Sequence, residues 1–248
     1  MERELAVVIM AAGKGTRMNN PDMAKVMYAI NGRPMVEYVI DLAVQMRARR
    51  IIVVVGWQKD SVITHLSRGY GSVLCVDQVP QLGTGHAVMQ AERALDDFTG
   101  DVLVLSGDVP LLSYATVRSL VAYHRSTRAA ATLLTAELED PTGYGRILRN
   151  ADGSVRAIVE HRDASADQRK IREVNSGIYV FDASALFEGL KYITPANVQK
   201  EYYLTDIFGH LWSSKATVSA FLTTNSREVL GINTKEQLED VRAAMANR

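Results

Sequence analysis

The sequence predicts a doubly wound α/β fold, in which helices cover both faces of a mostly parallel sheet, with a small β-rich subdomain. Three observations predict this. Short apolar runs alternate with amphipathic stretches through the first half of the chain, as in strand–helix crossovers. Polar or glycine-rich loops follow three of these runs. From about residue 129 onward, strand-like segments dominate and helices become scarcer.

In the first half, four apolar runs predict buried strands at 5–12, 51–55, 73–76 and 102–105. Helices are predicted at 35–49, 58–68 and 85–95, and a fourth, capped by Ser113, through residue 123. In the second half, strands are predicted at 131–136, 146–149, 155–160, 178–181 and 218–222, with a hairpin turn at 151–153. Two later helices are predicted at 201–211 and 235–246.

Composition narrows the class of protein. The 248 residues are 47% apolar and 23% charged, which is typical of a globular protein with a sizeable core. The formal net charge of zero argues against a nucleic-acid partner. No apolar run approaches the ~18 residues of a membrane span, and no signal-peptide pattern opens the chain. Because Cys75 is the one cysteine, no internal disulfide is possible, and we expect a cytoplasmic protein.

The first apolar run leads into the loop Gly13-Lys14-Gly15-Thr16-Arg17. Glycines allow close approach of a ligand, and consecutive backbone N–H groups with two basic side chains can hold an anion. The loop matches neither the P-loop nor the dinucleotide pattern. It therefore predicts a phosphate site, with a plain strand–helix turn as the alternative.

Two charged residues outside the glycine loop, Asp108 and Lys25, are candidates for contacting a metal ion or a phosphate. Asp108 follows the run at 102–105, where a carboxylate could hold Mg²⁺ against phosphate oxygens or simply cap the next helix. Lys25 could neutralise a phosphate or be an ordinary solvated lysine. The five histidines and the cysteine show no zinc-type spacing.

A third loop, at 78–86, carries two glutamines, two glycines and Thr84. Amide side chains can pair with the edge of a base through both a donor and an acceptor. The alternative is a polar loop in which Thr84 caps a helix, and His86 is interpreted as a helix residue. Because ligands bind beyond the carboxyl ends of parallel strands, the three loops together favour a ligand site at one edge of the sheet.

Nine markers run in order along nearly the whole chain. They are AAGKGTRM (11–18), Lys25, QVPQLGTGHA (78–87), SGDVPLL (106–112), DPTGYGRI (140–147), VEHRDA (159–164), REVNSGIY (172–179), EYYLTD (201–206) and GIN (231–233). Together they resemble the pyrophosphorylase domain of the bacterial N-acetylglucosamine-1-phosphate uridyltransferases, in the sugar nucleotidyltransferase superfamily. G-x-G-T-R alone would indicate only the superfamily, whereas TGYGRI, VEHRDA and EYYLTD are more specific.

This resemblance implies a Rossmann-like nucleotidyltransferase fold that makes UDP-N-acetylglucosamine and pyrophosphate from UTP and N-acetylglucosamine 1-phosphate, with Mg²⁺ as cofactor. The phosphates and the developing charge would contact Arg17, Lys25 and, through the metal, Asp108. Uridine would be held by Ala12, Gly13, Gln78, Gly83 and Thr84. The sugar would be bound by Gly145, Glu160 and Asn175, with Glu201 and Tyr203 lining the same pocket. For the pair Tyr202–Tyr203, core packing at the start of a helix is the alternative. The metal ligands would be Asp108 and Asn233.

The resemblance also implies one domain over 1–248. It would comprise a nucleotide-binding half at 1–128, a sugar-binding half at 129–233 and a C-terminal helix at 234–248. No hexapeptide repeats are present, so neither the acetyltransferase activity of bifunctional members nor their trimer is expected, and the oligomeric state stays open. Two positions depart from relatives: Ala24 replaces a usual proline, and Ser106 stands where some relatives carry tyrosine.

Two other functions remain as alternatives. The first is a nucleotidyltransferase for another sugar 1-phosphate or nucleotide, against which the loop at 78–84 and the VEHRDA and REVNSG motifs argue. The second is a non-catalytic nucleotide-sugar-binding module. A pure binding module has less need of Arg17, Lys25, Asp108 and Asn233.

Overall fold

One large sheet and a small hairpin organise the computed structural model, which describes residues 3–246. The strands are β1 (Leu5–Ala11), β2 (Ala29–Ile30), β3 (Arg33–Pro34), β4 (Arg50–Val55), β5 (Val73–Asp77), β6 (Asp101–Ser106), β7 (Ala131–Glu137), β8 (Gly145–Arg149), β9 (Val155–Val159), β10 (Glu173–Asp182) and β11 (Val218–Leu222). The helices are α1 (Met35–Gln45), α2 (Lys59–Gly69), α3 (Thr84–Met89), α4 (Tyr114–Thr127), α5 (Ala183–Leu190), α6 (Ile207–Ser213) and α7 (Lys235–Ala246). None of these helices is long and apolar enough to cross a membrane.

The main path of the large sheet has the strand order β11-β7-β10-β6-β1-β4-β5. Neighbours are parallel from β6 through β1 and β4 to β5, and β11 is parallel to β7. Strand β10 runs antiparallel to both β6 and β7, and the antiparallel pair β8–β9 branches from its first residues. The predicted mostly parallel sheet is confirmed, and strands from both halves of the chain contribute to it.

Apolar side chains of alternate strand positions fill two cores, one on each face of this sheet. In β1, Val7 and Ile9 belong to one core and Ala6 and Val8 to the other. Helices α1, α2 and α4 cover the first core, whereas α3, α5 and α6 cover the second. Both faces are therefore buried, which is the doubly wound arrangement that the alternation of runs predicts.

Several predicted elements differ in extent from the observed ones. Helix α1 ends at Gln45 rather than at residue 49, because Arg47 takes a left-handed conformation and the Arg49 amide donates to the Leu5 carbonyl at 2.7 Å. The helix predicted at 85–95 is divided into α3 and a 3₁₀ turn over Glu92–Leu95. Strand β5 is an edge strand rather than a buried one, and Leu74 is 51% exposed. The predicted cap of α4 is confirmed, because the Ser113 hydroxyl accepts from the Thr116 amide at 3.2 Å.

The helix predicted at 201–211 was wrong in its first half. The chain is extended at Tyr203, a 3₁₀ turn covers Leu204–Asp206, and α6 begins only at Ile207. The extended part is held by its neighbour in space: the Tyr202 amide donates to the Leu82 carbonyl and the Gly85 amide to the Tyr202 carbonyl, both at 2.8 Å. These contacts satisfy backbone groups that a helix would otherwise have paired.

Strand β10 begins five residues before the predicted strand at 178–181 and contains a bulge. Its register against β7 shifts between Asn175 and Tyr179, and Gly177 has a φ of 77°. The Ser176 hydroxyl, buried in this bulge, donates to the Leu134 carbonyl at 2.7 Å. The bulge marks the point where β10 passes from pairing with β8 to pairing with β6.

Candidate active site

The loops that follow β1, β5 and β6 converge on one cavity of about 480 Å³, called here the larger cavity. It lies at the carboxyl ends of parallel strands, where ligands of open α/β sheets bind. Eight of the predicted site residues line it: Ala12, Gly13, Lys25, Gln78, Gly83, Thr84, Asp108 and Glu201. Lys14 of the glycine loop also lines it. The three loops that the sequence placed at one edge of the sheet therefore do lie around one cavity.

The two glycines of the first loop differ in what they allow. A Cβ added to Gly13 would meet no heavy atom within 4 Å, so the backbone there is open to a ligand. Gly15 has a φ of 59°, and a Cβ on it would lie 2.7 Å from the Lys25 Cβ. Gly15 is therefore required for Lys25 to pack directly against the loop.

Four of the predicted catalytic or metal residues form one polar cluster. The Lys25 ammonium makes an ion pair with the Asp108 carboxylate and donates to the Asn233 Oδ1 at 3.1 Å. The Arg17 guanidinium donates to the same Asn233 oxygen at 3.0 Å. Asp108 thus makes an ion pair here and does not cap α4, which Ser113 caps. Although 124 residues lie between Asp108 and Asn233 in the chain, a single ammonium contacts both.

The segment that carries Asn233 is fastened to the loop after β6. The Ile232 amide donates to the Asp108 carbonyl at 2.9 Å, and the Gly231 amide donates to the Tyr144 hydroxyl at 3.3 Å. Tyr144 also lines the second cavity described below. This tyrosine, which the sequence analysis did not select within its TGYG motif, connects the two parts of the site.

A capping box fixes the other side of Asn233. The Gln237 side-chain oxygen accepts from the Asn233 amide at 2.7 Å and from the Thr234 amide at 3.1 Å, while the Thr234 hydroxyl accepts from the Gln237 amide at 3.3 Å. The T-x-x-Q spacing before a helix is a sequence signal for this arrangement. Helix α7 then packs Leu238 and Val241 into a third apolar cluster.

The Asp108 and Asn233 oxygens suit a divalent cation. A carboxylate and an amide oxygen are hard donors of the kind that Mg²⁺ and Ca²⁺ prefer, and their shared contact with the Lys25 ammonium shows that both can reach one cation. Among residues 3–246, no group of three or more His, Cys, Asp or Glu side chains could hold a metal. The protein thus offers two side-chain ligands, which fits Mg²⁺ that keeps phosphate and water as its other ligands.

The loop at 78–84 directs its polar groups inward. Gln78 is 3% exposed, and its amide nitrogen donates to the Gly83 carbonyl at 2.9 Å and lies 3.2 Å from the His86 Nδ1. Gln81, which also lines the larger cavity, donates to the Gln78 carbonyl at 3.1 Å. The Gln78 side chain therefore shapes the loop in addition to facing the cavity. Gln81 is the second amide there, which the site prediction omitted.

Thr84 does not cap α3 with its side chain. Its hydroxyl instead accepts from the Leu204 amide at 3.0 Å, across 120 positions of the chain. Together with Met10 and Ser106, Thr84 lines both the larger cavity and a second one. These three side chains form the boundary between the two cavities. Ser106, the position where some relatives carry tyrosine, is thus one of the three residues at this boundary.

The second cavity, called here the smaller cavity, has a volume of about 190 Å³ and is lined by Gly145, Glu160 and Asn175. The Asn175 amide nitrogen donates to the buried Tyr179 hydroxyl at 2.7 Å. The Thr205 hydroxyl donates to the Glu160 carboxylate at 3.0 Å. Gly145 lies close to this carboxylate, because a Cβ on it would be 3.3 Å from Glu160 Oε2. Three predicted sugar residues are thus brought together.

The two remaining predicted sugar residues lie elsewhere. Glu201 lines the larger cavity, because the extended segment that carries it lies beside Gly83. Tyr203 does not line the smaller cavity. It is buried, and its hydroxyl lies 3.4 Å from Asp163 Oδ2. The alternative of core packing for Tyr203 is therefore the one that its environment supports. Thr205, two residues later in the same motif, reaches the smaller cavity instead.

Burial raises the pKa of the Glu160 carboxyl above its ordinary value of 4.5; the Thr205 hydrogen bond partly offsets this, and the charges of Asp163 and Asp206 raise it further. A carboxyl with a raised pKa in the folded state stabilises the fold only while it is protonated. Its contribution is complete below pH 4.5 and is lost as the pH rises through the folded-state pKa.

Glu160→Gln is therefore expected to increase the free energy of unfolding at pH 7 by about 1 kcal/mol, the usual gain from a single favourable site. For a domain of this size the midpoint of thermal unfolding would rise by about 2–4 °C. The gain should disappear below pH 4.5, and glutamine retains an acceptor for Thr205. Thermal melts from pH 4 to pH 8 measure this change in stability.

Glu188→Gln is the control, because Glu188 forms an exposed ion pair with Lys191, and this variant should give no gain in stability. An unchanged or lower midpoint for Glu160→Gln at pH 7 would contradict the prediction.

Sequence comparison identifies relatives over almost the whole chain. Residues 6–238 match the model of the nucleotidyl transferase family. The bifunctional protein GlmU of Pelotomaculum thermopropionicum is 45% identical over 245 residues, which cover 99% of this chain and 53% of that protein. GlmU of Geobacter metallireducens is 46% identical over 237 residues, covering 96% of this chain and 49% of that protein. The chain therefore spans about half the length of the curated relatives it matches.

Solved structures share the fold at low sequence identity. A putative glucose-1-phosphate thymidylyltransferase from Bacillus anthracis, in complex with a sucrose, superposes with a TM-score of 0.77 at 18% identity, over 98% of this chain and 96% of that one. A UDP-glucose pyrophosphorylase complexed with UDP-glucose gives a TM-score of 0.77 at 17% identity, over 98% and 99%. These likenesses show the fold, and the family match over residues 6–238 shows that the chain belongs to the nucleotidyl transferase family.

Proposed function

We propose that this protein is a Mg²⁺-dependent uridylyltransferase that makes UDP-N-acetylglucosamine and pyrophosphate from UTP and N-acetylglucosamine 1-phosphate. The observation that carries the proposal is the pair of adjoining cavities. The larger contains the glycine loop and the cluster of Lys25, Asp108 and neighbours, and the smaller contains Glu160 and Asn175. Membership of the nucleotidyl transferase family and the identity to GlmU proteins support the reaction class.

In this proposal, residues 1–128 supply the nucleotide half and residues 129–233 the sugar half, and α7 follows them. The last two residues of the helix predicted at 234–248 lie outside the described part of the chain. Uridine and the triphosphate occupy the larger cavity along Ala12, Gly13, Gln78, Gly83 and Thr84. The sugar of the second substrate occupies the smaller cavity. Its hydroxyl and acetamide groups pair with the Glu160 carboxylate and the Asn175 amide, two of the polar side chains that line this cavity.

The reaction is an in-line displacement at the α-phosphorus of UTP. An oxygen of the sugar phosphate forms the new bond to that phosphorus, and the bond to the β-phosphate bridging oxygen breaks, so that pyrophosphate leaves with the electron pair. The attacking phosphate is already anionic at pH 7, so no side chain has to remove a proton. Arg17 and Lys25 hold the phosphates in line and offset the charge on the leaving pyrophosphate.

The metal would be held by Asp108 and Asn233. When bound, Mg²⁺ supplies Lewis-acid neutralisation of phosphate oxygens. The chain's own part is to hold the Asp108 carboxylate in the lining of the larger cavity and the Asn233 oxygen within reach of the same cation, through the Ile232 and Gln237 hydrogen bonds described above. The glycine-loop amides hold the opposite side of the same phosphates.

The test is pyrophosphate release from UTP with Mg²⁺ and a panel of sugar phosphates. We expect kcat/KM for N-acetylglucosamine 1-phosphate to exceed that for glucose 1-phosphate by roughly 10²-fold or more, because a site built to pair the acetamide leaves polar groups unmatched without it. ATP, GTP, CTP and dTTP in place of UTP measure the base preference. Equal use of glucose 1-phosphate would overturn the sugar assignment, and equal use of dTTP would overturn the base assignment.

A further inference from the structure

The cations expected to contact the substrate phosphates are paired with the oxygens expected to contact the metal. The Lys25 ammonium contacts both the Asp108 carboxylate and the Asn233 amide oxygen, and Arg17 donates to the same amide oxygen. The side chains of Lys25 and Asp108 are only 15% and 17% exposed, so little water surrounds the ion pair. Without a nucleotide, these oxygens are engaged by cations that belong to the protein.

A free divalent cation would have to displace the Lys25 ammonium to reach both oxygens. The displaced ammonium would remain in the same cavity, close to the new cation and without the Asp108 carboxylate that it had paired with. Like charges at short range in a partly buried site repel strongly. Lys25 and Arg17 are therefore expected to oppose binding of a divalent cation by itself.

A triphosphate changes this balance because it brings new anionic partners. Lys25 lines the larger cavity together with the open backbone at Gly13, so its ammonium can turn from Asp108 to a phosphate within one cavity. The cation can then take both oxygens without leaving an unpaired ammonium. Binding of the metal and of the polyphosphate would each strengthen the other, as thermodynamic linkage requires.

We propose that Lys25 and Arg17 exchange partners when the substrate binds. They pair with Asp108 and Asn233 in the nucleotide-free protein and exclude a free divalent cation, and they move to the phosphates when a metal–triphosphate complex enters. The protein therefore takes its metal together with the nucleotide and not before it. This inference rests on the proposed function for the identity of the triphosphate, but the exclusion of the free cation does not.

The test is direct binding of Mn²⁺, measured by the electron paramagnetic resonance signal of the free ion. In one series Mn²⁺ is added alone; in the other, a preformed complex of Mn²⁺ with α,β-methylene UTP is added, whose bridge to the β-phosphate cannot be cleaved. Lys25→Met keeps the length of the side chain and removes its charge. We expect this variant to bind Mn²⁺ alone roughly tenfold more tightly than the wild type, and the preformed complex roughly tenfold more weakly.

The matched control is Lys14→Met. The Lys14 ammonium also borders the larger cavity, but it lies 5.5 Å over the Trp57 ring and makes no contact with Asp108. Its removal should leave the affinity for Mn²⁺ alone within about twofold of the wild type, because the charge it removes is more distant and screened. An equal tightening in both variants would mean that general cavity charge, and not the Lys25 contact, opposes the metal, and would overturn the proposal.

Weaker binding of Mn²⁺ alone by Lys25→Met would also overturn the proposal, because Lys25 would then hold Asp108 in position for the metal. A melting midpoint within a few degrees of the wild type confirms that each variant is folded, and Lys25→Gln repeats the measurement with a polar neutral side chain. If the wild type fails to bind the preformed complex, the proposed function fails and so does the transfer to phosphates. The Mn²⁺ titration without nucleotide still decides whether Lys25 excludes the free cation.

Discussion

Asp108→Ala is expected to lower kcat for pyrophosphate release by about 10²-fold or more, the scale of losing one charged contact in a transition state. The substitution removes a carboxylate expected to hold the metal and leaves the Lys25 ammonium without its ion-pair partner. The cluster of Arg17, Lys25, Asp108 and Asn233 then changes from a formal charge of about +1 to about +2, which disfavours a divalent cation. Continuous pyrophosphate release at saturating UTP and sugar phosphate measures the effect.

A second variant separates charge from shape at the same position. Asp108→Asn retains the outline of the side chain and one acceptor oxygen, so it should fold normally while losing most of the activity. Asp167→Ala is the control, because that carboxylate is exposed and pairs only with Lys170 one turn away. It should have wild-type activity. Near-normal turnover of either Asp108 variant would contradict the assignment of Asp108 to the metal.

The sequence predicted the first half of the fold well because its physical signals are local. Continuous apolar runs identify strands that are buried on both faces, and parallel strands bring their following loops to one edge of the sheet. Gly13, Thr84 and Asp108 could be expected near one another on this ground alone, whereas Lys25 was assigned to the same site by the family resemblance. Strand β5 was misjudged as buried because a short apolar run does not reveal whether another strand lies beyond it.

The remaining parts of the site depend on contacts between distant segments, which local patterns do not contain. The approach of Asn233 to Asp108 was available only from family resemblance, because the contact arises from how α7 packs and how Tyr144 meets Gly231. The extended chain at Tyr203 was predicted as helix for the same reason, since its pairing partner lies at residues 82–85. Apolar spacing and local propensity favoured a helix there, and tertiary hydrogen bonds determined otherwise.

That pairing makes Gly83 the position where a small substitution should have a large effect. Gly83 has a φ of 109°, which side chains rarely adopt, and a Cβ on it would lie 2.7 Å from the Tyr202 carbonyl oxygen and 2.9 Å from the Glu201 Cβ. Backbone strain costs about 1–3 kcal/mol, and forcing an atom into a packed region costs about 1–3 kcal/mol more. We expect Gly83→Ala to lower the free energy of unfolding by about 2–6 kcal/mol, the sum of these two costs.

At about 2–4 °C per kcal/mol for a domain of this size, the melting midpoint of Gly83→Ala should fall by about 4–24 °C. Activity should fall as well at temperatures where the variant is folded, because the Gly83 carbonyl accepts a hydrogen bond from the Gln78 side chain at 2.9 Å and both residues border the larger cavity.

Gly209→Ala is the matched control. It lies within α6, where a Cβ would meet nothing within 4 Å, and should stabilise the protein by about 0.5–1 kcal/mol. Equal midpoints for the two alanine variants would show that the loop at 82–85 can move away from residues 201–204 at little cost, and that their pairing does not hold the wall of the larger cavity.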